Sequence, residues 1–178
     1  MPPLSTALGP PLSPTGWGVA AGAAFAALWG LAGARGLAGA WRRRIAVLVL
    51  MASAGLIVRA FIAPPQPAYA MRFDAPVYGC AAAFEIVGVL LAAFALRAPA
   101  RRGLLAPVVA ILTGLHFIGL WIATGQRLFL GVTLGLCAAG LIALGWPRRP
   151  GGGADPPLAI AGLGSAFVLW AACLSSLA

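Results

Sequence analysis

Three residues of this 178-residue chain combine reactive side chains with surroundings that make ionisation expensive. His116, the one histidine, lies in the middle of a long apolar run, within Gly114-Leu115-His116-Phe117-Ile118-Gly119-Leu120. Glu85 lies inside the preceding run and Arg59 inside the one before that. A titratable residue within a membrane span is costly, faces a bundle interior or a watery cavity, and marks a functional hypothesis by default. The chemistry on offer is acid–base and ionic. Coulomb attraction predicts that Arg59 pairs with Glu85, since two unpaired charges in low dielectric would each cost several kcal/mol. His116 is then the adaptable third member, able to donate or accept a proton near neutral pH. Tyr78 and Thr113 share helical stripes with Glu85 and His116, and complete the candidate set for ligand or proton handling.

The elements that must carry these residues are set by composition. The chain is 62% hydrophobic and 8% charged with mean hydropathy +0.99, far from the ~25% charged residues of a soluble domain. Six apolar segments, at residues 16–34, 44–63, 77–96, 104–123, 128–146 and 158–177, each approach the ~20 residues needed to cross a ~30 Å hydrocarbon core. They must be helices, because an open strand leaves backbone groups unpaired in lipid. The expected fold class is all-α: a polytopic membrane bundle of six transmembrane helices arranged as three hairpins. The four residues Thr124-Gly125-Gln126-Arg127 between the fourth and fifth segments force an antiparallel turn. Residues 1–15, with five prolines and no basic residue, form a flexible leader outside the single bundle of residues 16–178. They lack the positive n-region of a secretory signal, so the first helix is expected to be retained.

Arginine distribution predicts orientation. All twelve basic residues are arginine. Arg35, Arg42, Arg43, Arg44, Arg97, Arg101, Arg102, Arg148 and Arg149 fall in the first, third and fifth connections, against Arg72 and Arg127 in the others. The positive-inside rule then puts both termini outside and connections 1, 3 and 5 in the cytoplasm. The net charge of +9 reads as topology signalling and contact with anionic lipid, not as a nucleic-acid footprint. At ~1.5 Å rise per residue, Arg59, Glu85 and His116 lie about 6, 12 and 10 Å below the outer boundary, so three helices deliver ionisable groups to one layer. Small or hydroxylated neighbours (Ala52 and Gly55; Ala81, Ala82, Gly88 and Ala92; Thr113 and Gly119) suggest that these faces look inward. The competing reading of the cluster is a fixed polar pin that sets helix register.

Gly18, Gly22, Ala26 and Gly30 on helix 1, and Gly131, Gly135 and Ala139 on helix 5, recur at four-residue spacing. Such stripes allow close helix approach, either within the chain or across a homodimer. The loop at residues 64–76 holds four prolines with Tyr69, Met71 and Phe73, and reads as a stiff connector or as a lid over the polar layer. Trp29 and Trp170 lie too deep for interfacial anchors, so packing must explain them. Cys80, Cys137 and Cys173 show no CxxC spacing, one histidine cannot make an ordinary metal site, and no phosphate-binding or zinc-protease motif is present, so neither metal nor cofactor is expected.

The Gly-Leu-His-Phe motif at Gly114–Phe117, with Glu85 one helix earlier and Arg59 two helices earlier, resembles a group of small uncharacterised bacterial membrane proteins. In that group the motif is followed by proline and leucine, whereas Gly119 stands here where the proline would fall. The resemblance spans helices 2–5 and implies a compact bundle of about six helices, with no activity attached. Three functions remain open on the residues: binding or transport of a small molecule, ion or proton; acid–base catalysis on a lipid or isoprenoid-like substrate by Glu85 and His116; and a structural or regulatory subunit docked through a small-residue stripe.

Overall fold

The computed structural model describes residues 14–62, 73–99, 101–147 and 154–177, and every statement below concerns those residues. They form six helices and no strand: α1 (Pro14–Arg35), α2 (Gly39–Ile62), α3 (Ala75–Ala95), α4 (Leu105–Thr124), α5 (Leu128–Gly145) and α6 (Pro156–Leu177). A 3-10 turn at Arg102–Leu104 leads into α4. All six helices are long and apolar enough to cross a membrane. The architecture is that of an all-α, multi-pass membrane protein.

Local chemistry sets the helix ends. The Asp74 side chain accepts from Val77 N at 3.1 Å and caps α3, with Pro76 in the first turn, where its missing N–H costs nothing. Asp155 caps α6 in the same way, accepting from Leu158 N at 3.2 Å. Gly125 ends α4 at φ 74°, a left-handed conformation open to glycine at little cost, and its N–H returns to Trp121 O. Helices α1, α3 and α6 start two residues before the sequence expectation and α2 five residues before it. Pro14 and Thr15 belong to α1 and not to a leader, whose remaining residues lie outside the described part. Helix α2 begins at Gly39, so Arg42, Arg43 and Arg44 ride on its first turns. The edge of the apolar run marks the expected lipid boundary, and a helix continues past it.

The six helices pack in the spatial order α2, α1, α6, α5, α4, α3, and the row curls so that α6 also touches α4 and α2. All three expected hairpins are packed pairs. The interior is built from small residues: Ala23, Ala26, Ala110, Ala143, Ala161 and Ala166 are fully buried, while large side chains such as Leu48, Phe84, Leu90 and Phe167 point outward. That inversion suits lipid, where apolar burial drives nothing and close packing must hold helices together. At the α1–α6 contact, a Cβ on Gly33 would stand 2.5 Å from the Leu163 backbone nitrogen, so the two backbones touch.

The stripes face inward over most of their length. Gly22 abuts Cys173, Gly30 abuts Val49 and Ala166, and Gly135 abuts Val168, whereas Gly18 and Gly131 have open space. Trp170 Nε1 donates to Ser53 Oγ at 3.0 Å, and Trp29 packs on two clusters of the core. Packing and hydrogen bonding account for both deep tryptophans.

The three arginine-bearing connections meet at one end of the bundle. Asp155 N donates to Gly36 O at 2.8 Å, and the 3-10 turn packs on α6. Two of these turns are closed alike: Arg42 Nε donates to Leu37 O at 3.2 Å and Arg102 Nε to Arg97 O at 3.0 Å. At the opposite end Asp74 N donates to Ala123 O at 3.0 Å, pinning the start of α3 to the end of α4.

Candidate functional site: a carboxylate and an imidazole between α3 and α4

Helix α3 is the most weakly covered of the six. It packs against α4, and none of its residues is buried. The contact is close because small residues line it. A Cβ on Gly119 would collide with that of Ala81, and one on Gly88 would come within 3.2 Å of Leu112. With the Asp74–Ala123 bond fixing one end, the rotation of α3 is set, and Glu85 turns toward Thr113 and His116.

Thr113 Oγ1 donates to Glu85 Oε1 at 2.7 Å, the short O–H···O distance expected when the acceptor is a carboxylate. The second oxygen, Oε2, stands 3.6 Å from His116 Nδ1. That separation is too long for a hydrogen bond, yet it is an ion pair when the imidazole carries its second proton. It is also too short to admit a water in line between the two atoms. His116 Nδ1 is buried without a hydrogen-bond partner, a condition that costs free energy until something satisfies it.

Aromatic rings continue the site across three helices. Tyr78 meets His116 in a T-shaped arrangement with centroids 6.1 Å apart, and Phe117 does so at 5.7 Å. Phe73 lies 5.5 Å from Tyr78, and Phe129, on α5, lies 5.8 Å from Phe117. The imidazole thus touches two rings, and its Nδ1 lies toward the carboxylate. The histidine is deep and the carboxylate shallow, with side chains 10% and 28% exposed.

Four of the five candidate residues, Tyr78, Glu85, Thr113 and His116, are brought together. Arg59 is not. It is exposed on α2, three residues from the helix end, and α2 and α3 stand on opposite flanks of the bundle. The expected Arg59–Glu85 pair is therefore corrected. Equal depth says nothing about which helices are neighbours, and the buried face of α2 is Val49, Ser53, Leu56 and Ala60, not the stripe through Ala52 and Gly55. About 4.5 Å from the helix end, the Arg59 guanidinium can reach the polar interface by extending its own stem.

Phe117 entered the sequence reading only as part of the Gly-Leu-His-Phe motif and Phe129 not at all, since an aromatic residue in an apolar run carries no mark of what it touches. Ser165, whose Oγ is the second buried polar atom without a partner, sits in a stretch of small residues and gave no signal either. Of the segment 64–76, expected as a lid or connector, residues 64–72 lie outside the described part, and Ala75 and Pro76 already belong to α3. Among the described residues no group of three His, Cys, Asp or Glu side chains could hold a metal. Cys80 is exposed on α3, while Cys173 is buried against α1 and its Sγ lies 3.5 Å from Val19 O, so these two thiols are far from a pair. Comparison of the chain with protein-family models, with curated proteins and with solved structures finds no match.

Proposed function

We propose that this chain is a small proton-linked binding or transport protein of a bacterial cytoplasmic membrane, with Glu85 and His116 as the groups that exchange the proton. One observation carries the reading: a carboxylate anchored by Thr113 at 2.7 Å lies 3.6 Å from a buried imidazole nitrogen that has no other partner. A register pin would be satisfied in its resting state. This pair is satisfied on one side and left open on the other, which suits a site that gains and loses a proton or ligand. Thr113 keeps the carboxylate oriented through the cycle, and Tyr78 and Phe117 restrain the imidazole ring.

The orientation we propose has both termini outside and the arginine turns in the cytoplasm. Seven arginines at one end of the described bundle, against Arg59 and Arg127 toward the other, support it. The resemblance of helices 2–5 to small bacterial membrane proteins supports the compartment and adds no activity.

The test is proton movement. The full chain, reconstituted in liposomes holding a pH-sensitive dye, should relax an imposed pH gradient faster than empty liposomes. Glu85→Gln and His116→Ala should each abolish the difference while inserting normally. Variants that relax the gradient at the parent's rate would refute the assignment. Reporter fusions at each terminus check the orientation independently.

A further inference from the structure

We infer that the Glu85 site takes a lipophilic amine, a protonated nitrogen carrying an apolar tail, which enters sideways between α3 and α4 from the acyl-chain region of the bilayer. The inference rests on the proposed reading of Glu85 and His116 as a binding site and names what that site selects.

The first argument is charge. With Arg59 on the far flank, the described groups in contact at the site are a carboxylate, a hydroxyl already donated to it, an imidazole and aromatic rings. None is a fixed cation. A ligand head that brings positive charge and N–H donors matches this set, whereas a carboxylate or phosphate head would be repelled by Glu85. Tyr78 and Phe73, 39% and 55% exposed with ring centroids 5.5 Å apart, add ring faces that attract a cation.

The second argument is access. Glu85 is the reachable member of the pair, and Ala81 and Ala82 one turn before it and Gly88 one turn after it are too small to cover it. Phe84 and Ile86 flank Glu85 around the helix, and Val87, Leu90 and Leu91 continue the outer face of α3; all five are exposed and apolar. On a membrane-spanning helix that surface meets acyl chains. A molecule reaching Glu85 across it must be stable in hydrocarbon up to its head, which selects an amphiphile over a water-soluble cation.

The experiment uses the full chain in phosphatidylcholine nanodiscs and follows its thermal unfolding midpoint against three probes: dodecylamine, dodecanol and tetramethylammonium. Dodecylamine should raise the midpoint, and the other two should leave it in place. Glu85→Gln should weaken the apparent dodecylamine affinity by about tenfold or more, as expected for loss of a charge-assisted hydrogen bond. Tyr78→Leu should weaken it by about threefold, as expected for an exposed cation–π contact. An equal dodecylamine shift in parent and Glu85→Gln would mean a bilayer effect and would overturn the inference. An equal shift with tetramethylammonium would overturn lateral entry. Infrared titration of the Glu85 carboxyl separates the two levels. A carboxyl that answers to pH in a protein deaf to dodecylamine sinks the amine and leaves proton exchange standing. A carboxyl that answers to neither sinks both.

Discussion

Replacing Gly33 by alanine adds one methyl group, and the surroundings of that methyl make it a severe change. Its Cβ would stand 2.5 Å from Leu163 N and 2.8 Å from the Gly162 carbonyl carbon, where ordinary contact begins at 3.4 Å. The obstructing atoms are backbone, so no side chain can rotate aside. Relief requires α1 and α6 to separate by about 1 Å, a gap that forfeits a quarter to a half of each touching pair's dispersion energy. Overpacking of this kind costs about 1–3 kcal/mol. Gly18→Ala on the same helix is the control, since nothing lies within 4 Å of its added carbon. It should be neutral or slightly stabilising through helix propensity, worth up to about 1 kcal/mol. Unfolding in maltoside micelles titrated with dodecyl sulfate measures both. Gly33→Ala should unfold at a clearly lower dodecyl sulfate fraction than parent and control. Coincident curves for all three would show that α1 and α6 do not meet backbone to backbone.

Two further outcomes probe the site. Arg59→Leu should change stability by no more than about 0.5 kcal/mol, as for other exposed positions, and should leave the infrared carboxylate band of Glu85 unmoved. A displaced band would mean that the two residues interact after all. Thr113→Val keeps the shape of the side chain but removes the donor to Glu85 Oε1, so it should cost about 1–2 kcal/mol in the same micelle titration and shift that band. An unshifted band would show the 2.7 Å bond to be dispensable.

The six helices were legible because a bilayer turns a length requirement into a composition signal that survives ignorance of every neighbour. The meeting of Glu85 and His116 was legible for a related reason: α3 and α4 form a hairpin across an arginine turn, and residues at matched depth on a hairpin meet if their faces agree. Arg59 broke the pattern because its helix is next to α3 in sequence and not in space. The linker at residues 63–72 is long enough to let α2 and α3 part. Small residues misled as well. Ala52 and Gly55 face outward on α2, and in lipid a small side chain carries no penalty for doing so. The neighbour order itself has no signature in one sequence, since Gly22, Gly30 and Gly135 advertise close contact without naming the partner.

The α1–α6 contact joins the first and last of the six helices, and this fixes the order in which the bundle can be completed. Hairpins α1–α2 and α3–α4 are tied off locally by Arg42 and Arg102, each reaching back five residues, so both can close as they leave the ribosome. The glycine face of α1 has no such option. Gly33 and Gly36 wait for Gly162, Asp155 and Ala159, which arrive more than a hundred residues later. Until α6 inserts, α1 exposes a narrow groove shaped for another helix, and any small-faced helix nearby is a competitor for it. A chain stopped before α6 would therefore leave that groove without the helix it fits.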